Sequence, residues 1–159
     1  MNIYTIGVYG SNEFSFFDKL ISSKIDTFID VRQRRGVRGS KYGFVNSTKL
    51  QEKLKVLGID YIHELNLAPT TEIRLFQKNE DLQKQELKKN REELGKLFIQ
   101  KYNSLILDIF DFDILIDKLE ENNKKNIVFF CVEEKHTACH RHLIVKRLNS
   151  KYDFNVKNL

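Results

Sequence analysis

The sequence predicts an α/β domain: a mostly parallel sheet with flanking helices and a charged helical insertion. Three observations predict it. Short β-branched and aromatic runs alternate with stretches of helical periodicity, and glycines and capping residues mark the changes of period. The run "NIVFFCV" is apolar without interruption, as in a strand buried on both faces. No linker, repeat or low-complexity tract divides the 159 residues, so residues 1–159 form one domain able to bury its own core.

The elements follow in order. "IYTIGV", Ile3 to Val8, is a strand that stops at the turn "YGSN". A helix follows, capped by Ser11 or Asn12, with Phe14, Phe17, Leu20 and Ile21 on its apolar face. "DTFIDV", Asp26 to Val31, is the second strand, and the basic loop "RQRRGVRGSKYGF" leaves it. "STKLQEKLKVLG" is a helix with Thr48 and Gln51 as a capping box, Leu50, Leu54 and Leu57 inward, and Gly58 at its end. "IDYIHEL", Ile59 to Leu65, is the third strand, and Pro69 suits the first turn of the helix beyond it.

From about Leu75 to Tyr102 the chain is dense in charge. Leu82, Leu87, Leu94, Leu97 and Phe98 form an imperfect stripe, which predicts one or two helices projecting from the core. "DFDILIDKLEENN" places Phe112, Leu115, Ile116 and Leu119 on one helical face. After the strand "NIVFFCV", "TACHRHLIVKRLNS" is a helix capped by Thr137 with Leu143, Ile144 and Leu148 inward, and "YDFNV" is a last strand. Parallel strands require helical crossovers, so the alternation implies a Rossmann-like three-layer arrangement.

No apolar run reaches the ~20 residues of a membrane helix, and the start "MNIYTIGVYG" lacks the basic region and cleavage site of a signal peptide. A soluble, cytoplasmic protein with two reduced cysteines is expected. Charged residues make up 31% of the chain beside one Pro, one Met and no Trp, a composition compatible with a thermophilic source. The net charge of +5 is concentrated: residues 30–55 carry Arg32, Arg34, Arg35, Arg38, Lys41, Lys49, Lys53 and Lys55 against Asp30 and Glu52. Such a segment on a balanced chain is an anion-binding surface or a solvated face.

In a parallel sheet the carboxyl ends of the strands share one crevice. Tyr9, Gly10 and Ser11, then Asp30 and Arg32, then His63 and Glu64, then Cys131 and Glu133 leave four of the five predicted strands at that end. With Thr137 as cap, Cys139, His140 and Arg141 fall in the first helical turn, where free amides favour anions and a thiolate at Cys139. Asp30 and Glu133 either do acid–base work or pair with Arg32 and Arg141, and His63 is either a proton carrier or structural. C-x7-C-H is no recognised zinc spacing, and His140 and His142, two apart on a helix, would point to different faces, so no metal ligand is assigned. Neither Cys131 nor Cys139 has an arginine six residues on, as a cysteine phosphatase loop requires. Arg32, Arg34, Arg35, Arg38 and Lys41 with Tyr42 and Phe44 combine phosphate-binding charge with rings able to stack on bases.

Three stretches, "YTIGVYGSNEFSFFDKL", "IDTFIDVRQRRGVRGSKYGFVNSTKLQEKLKVLGIDYIHELNLAP" and "FFCVEEKHTACHRHLI", together resemble the bacterial and archaeal family called domain of unknown function 488. By that resemblance Gly7, Asp30, Arg32, Arg38, His63, Cys131, Glu133, Cys139, His140 and Arg141 occupy the family's motif positions. The chain departs from it after D-V-R, where members commonly show a proline and a Ser-Arg pair, and at "LNLAPTTE", where they often show Leu-Gly-Gly. The family has no established reaction, so the resemblance marks positions without assigning chemistry.

The reading that results is a crevice at the strand ends that binds a phosphate-bearing ligand, nucleic acid or a nucleotide. Arg32, Arg38 and Arg141 hold phosphate with the amides around Ser11 and Cys139. Asp30, His63, Glu133 and His140 are acid–base candidates, Cys139 is the candidate nucleophile, and Cys131 is a structural or second thiol. The alternatives are a non-catalytic nucleic-acid-binding module and a thiol-dependent redox or transfer enzyme using Cys139. The sequence names no cofactor and no oligomeric state.

Overall fold

A computed structural model of the protein describes residues 1–87 and 90–159. Five strands form one all-parallel sheet: β1 (Asn2–Ile6), β2 (Thr27–Asp30), β3 (Asp60–His63), β4 (Asn126–Phe130) and β5 (Asn155–Asn158), in the order β3-β2-β4-β1-β5. β4 is central, and Ile127, Val128, Phe129 and Phe130 are all buried, as an uninterrupted apolar run requires. The register aligns His63, Asp30, Phe130 and Ile6 in one row across the carboxyl end.

Among the described residues six α-helices cover the two faces: α1 (Glu13–Ser22), α2 (Ser47–Val56), α3 (Thr71–Gln83), α4 (Lys96–Tyr102), α5 (Phe112–Glu121) and α6 (His140–Tyr152). Phe16, Phe17 and Leu20 of α1 pack with Leu50 and Leu54 of α2 against Tyr4, Ile6, Phe28, Val128 and Phe130. On the other face Ile73 of α3, Phe98 and Tyr102 of α4, the apolar side of α5 and Leu143, Ile144 and Leu148 of α6 meet Ile3, Ile29, Ile127 and Phe129. The connections leaving β1 and β2 cross the first face toward the β3 edge; those leaving β3 and β4 cross the second toward β5. β2 and β4 are therefore neighbours whose chains depart in opposite directions, the place where such sheets open a crevice.

Several local expectations give way to the structure. In α1, Asn12, one of the two expected caps, is the cap and Phe17 and Leu20 point inward as expected, but Phe16 joins them while Phe14 and Ile21 are exposed. α2 begins after Asn46 with no side-chain cap, and Gln51 bonds Ser47 rather than completing a box with Thr48. Pro69 precedes the Thr70 cap of α3 instead of entering its first turn.

The charged segment packs on the core instead of projecting from it. Leu94 and Phe98 are buried but Leu82, Leu87 and Leu97 face out, because the chain turns between α3 and α4 and no continuous stripe exists. The helical expectation also ran across residues 88 and 89, which lie outside the described residues. α6 starts at His140 after a 3-10 turn over His136–Ala138, so Cys139 occupies the cap position and Thr137 donates to the Glu92 carbonyl at 2.5 Å. No described helix is long and apolar enough to cross a membrane.

Candidate thiol–imidazole site at the switch point

The loop leaving β4 folds back over the sheet end because Gly7 lets it. The Glu133 carbonyl sits where a Cβ on residue 7 would be, and Val8 and Tyr9 donate their amides to the Val132 carbonyl. This approach brings Cys131, at the end of β4, to Cys139 and His140, at the start of α6. Cys131 Sγ, Cys139 Sγ and His140 Nδ1 lie within 4.8 Å of one another, and all three residues are buried. His140 Nδ1 is 3.9 Å from the first sulfur and 3.8 Å from the second. Its Nε2 stands 3.0 Å from the Val31 carbonyl, an acceptor only, so Nε2 carries a proton and Nδ1 faces the sulfurs. Both cysteines are free thiols.

Electrostatics separates the two sulfurs. Burial pushes Cys139 up, but a hydrogen bond from Cys131 and the positive His140 and Arg141 outweigh it and hold Cys139 well below its ordinary value. Cys131 is pushed well above its own by that same hydrogen bond, by burial and by the charges of Cys139 and Glu133. Burial lowers His140, yet the neighbouring Cys139 thiolate and the Val31 hydrogen bond leave it raised.

Around the sulfurs lies a shell of buried polar groups. Cys131 Sγ is 3.6 Å from Glu133 Oε2, and Glu133 Oε1 is 3.5 Å from Arg91 Nη2. Arg91 also binds Asp81 at 2.9 Å and the Ala138 carbonyl at 2.9 Å, and Gln77 bonds Asp81. Arg141 spends its guanidinium on the carbonyls of Glu133 and Glu134, at 2.6 and 3.0 Å. The Tyr102 ring stands 5.5 Å from His140, while its hydroxyl donates to Leu67 and burial drives its pKa well up.

A second network sits on β2. Asp30 accepts from the Arg32 amide, from its Nε at 2.9 Å and Nη2 at 2.7 Å, and from the Tyr61 hydroxyl at 2.9 Å. Arg32 also reaches the Val45 carbonyl and lies over the Phe130 ring, and His63 Nε2 donates to the Arg32 carbonyl at 2.9 Å. His140, through Val31, joins the two networks.

Asp30, Arg32 and His63 thus stand together, as do Cys131, Glu133, Cys139, His140 and Arg141. Arg32 is 3% exposed and Arg141 1%, so both guanidinium groups are enclosed and hold protein acceptors. Glu133 pairs with Arg91, not with the Arg141 guanidinium, whose bonds go to backbone. Ser11 and Arg38 belong to neither cluster. Ser11 borders a cleft of about 620 Å³ between α1 and α2, lined also by Lys41, Phe44, Lys49 and Lys53 with Glu13 and Glu52, and Arg38 is exposed on the loop. Beside the cleft Tyr42 packs on Tyr9, ring centres 5.2 Å apart. His136 and His142 face each other, 5.0 Å apart, away from His140, as two-residue spacing on a helix requires.

Sequence reasoning missed Arg91, Asp81, Gln77, Tyr61 and Tyr102. The first three sit in a run where nearly every position is charged or amidic, so no periodicity distinguishes the buried members; Tyr61, at alternate spacing with His63 on β3, was the findable one.

A doubly wound α/β protein with a buried thiol–imidazole cluster at its switch point is the class these features define. A family model described as Domain of unknown function DUF488 matches residues 14–148, and the chain belongs to that family. The T-I-G stretch at Thr5 to Gly7 lies before the matched range; D-V-R, His63, C-x-E and C-H-R lie within it. No curated protein and no solved structure matches the chain.

Proposed function

We propose that this protein binds a phosphate-bearing ligand, nucleic acid foremost, through the cleft between α1 and α2 and the basic loop beside it. The observation that carries the reading is the exposed set Lys41, Lys49 and Lys53 around one concave surface, next to the start of α1. Ser11 and the first amides of α1 add donors and a positive helix end, and the half-buried ring of Phe44 offers a stacking face. Glu13 and Glu52 line the same cleft and oppose an anion, which favours a ligand with several phosphates in a row over a single one. Arg34 and Arg38, exposed on the loop, extend the positive surface beyond the cleft. Arg32 and Arg141 are not part of this reading, since they hold internal acceptors.

The test is a titration with labelled single- and double-stranded DNA and RNA across salt concentrations. Three lysine contacts predict a log–log salt slope of roughly −2 to −3. Lys49→Glu/Lys53→Glu, both on the exposed side of α2, is expected to abolish binding while leaving the fold intact. Absence of salt-sensitive binding at low salt, or binding unchanged in that variant, overturns the proposal. The thiol-dependent alternative is favoured by one observation, Cys139 Sγ beside His140 Nδ1. It requires a reagent to reach a residue 1% exposed, and alkylation of Cys139 no faster than an ordinary free thiol sinks it.

A further inference from the structure

We infer that Cys131, Cys139 and His140 form a mononuclear site for a zinc ion, with three protein ligands and a fourth coordination position outside the set. Two thiolates and an imidazole are a donor set that zinc takes, and soft sulfur ligands exclude magnesium and calcium. Bond lengths of about 2.3 Å to sulfur and about 2.0–2.1 Å to nitrogen, at tetrahedral angles, separate a sulfur from a nitrogen by roughly 3.5 Å. The observed separations of 3.9 and 3.8 Å are a few tenths wider, within a small rotation of each side chain.

The orientation of His140 is the independent observation. A histidine ligand presents one nitrogen to the metal and donates from the other to a carbonyl or carboxylate, which fixes the ring. Here Nε2 is committed to the Val31 carbonyl at 3.0 Å and Nδ1 is turned to both sulfurs. Glu133 at 3.6 Å from Cys131, with Arg91 on its far oxygen, supplies an outer carboxylate of the kind that orients ligands. Two thiolates neutralise the ion, so it can be held in a buried place without a large unpaired charge.

Spacing gave no hint because C-x7-C-H, although short, is not a recognised zinc pattern. Cys131 ends a strand and Cys139 and His140 open a helix, and only the fold-back permitted by Gly7 joins them.

The test uses the full chain, reduced and stripped with a chelator, titrated with Co²⁺ and then with Zn²⁺. The expected result is one Co²⁺ per chain with thiolate-to-metal charge-transfer absorption and strong visible bands of tetrahedral type, displaced by one Zn²⁺. Cys131→Ser and Cys139→Ser each leave one thiolate and are expected to reduce the charge-transfer band to about half, and Cys131→Ser/Cys139→Ser is expected to lose it. Glu133→Gln is expected to weaken Zn²⁺ about 10- to 100-fold. His136→Ala/His142→Ala, which removes the outer histidine pair, is expected to bind as the parent does. Because a cysteine variant can fail to fold, the parent spectrum is decisive by itself: the charge-transfer band reports sulfur ligation. No such band at one equivalent of Co²⁺, or uptake lost in the double histidine variant and kept in Cys139→Ser, overturns the inference.

Discussion

A methyl group added at Gly7 would lie 1.9 Å from the Glu133 carbonyl oxygen and 3.1 Å from Nη2 of Arg141. The first of these neighbours is backbone and cannot swing away, so Gly7→Ala must push the β4 loop off the sheet end. A loss of about 1–3 kcal/mol, typical of overpacking, is expected in denaturant unfolding, together with faster alkylation of the two cysteines as their cover loosens. Unchanged stability would mean that the loop has room to move. Tyr61 offers a pH test of the β2 network. Burial, and then the Asp30 carboxylate, push its phenol from 10.0 to about 12, so the folded state favours the neutral form. That contribution is fully present below pH 10 and is lost as pH rises through about 12. Urea midpoints across this window should fall more steeply for the parent than for Tyr61→Phe; parallel curves would show that the shift does not couple to folding.

At the scale of elements, the contrast between α5 and α6 is instructive. Asp111 caps α5 by accepting from the amides of Asp113 and Ile114, and Asp111→Ala should cost about 1 kcal/mol, read as a lower melting temperature. Cys139 opens α6 with no side-chain cap, and the 3-10 turn before it is pinned instead by Arg91 on the Ala138 carbonyl and Thr137 on Glu92. Arg91 ties the inserted segment to α3 through Asp81 and to the site through Glu133. Arg91→Leu leaves Asp81 with Gln77 but without its buried cation and should cost about 3–5 kcal/mol, while Arg91→Leu/Asp81→Leu should recover part of that loss. A double variant no better than the single would assign the cost to the carbonyl and Glu133 contacts instead. None of this clamp is visible in the sequence, because a buried arginine and a solvated one look alike within "KKNREELGK".

The whole molecule consists of two apolar layers on one sheet, sharing the central strand β4. Leu54 belongs to one layer and Leu148 to the other, both fully buried. Each leucine-to-alanine change should cost about 2–5 kcal/mol, and the pair should add within about 0.5 kcal/mol because they lie in different layers on opposite faces of the sheet. Unfolding should remain one transition by fluorescence and by circular dichroism; two separated transitions would mean that the layers fold independently.

Alternation of short apolar runs with helical periods determined the α/β class, the strands, the helices flanking them and which residues leave the strand ends, because backbone period and burial are local consequences of residue order. The grouping of Cys131, Cys139 and His140 near Asp30 and His63 was legible only as a shared rim. The strand order, the sealing of Arg32 and Arg141 against carbonyls and carboxylates, and the choice of Arg91 as Glu133's partner were decided by tertiary structure. Those depend on which surfaces meet across tens of residues, and on which buried polar groups must then satisfy one another, and neither leaves a period in the sequence.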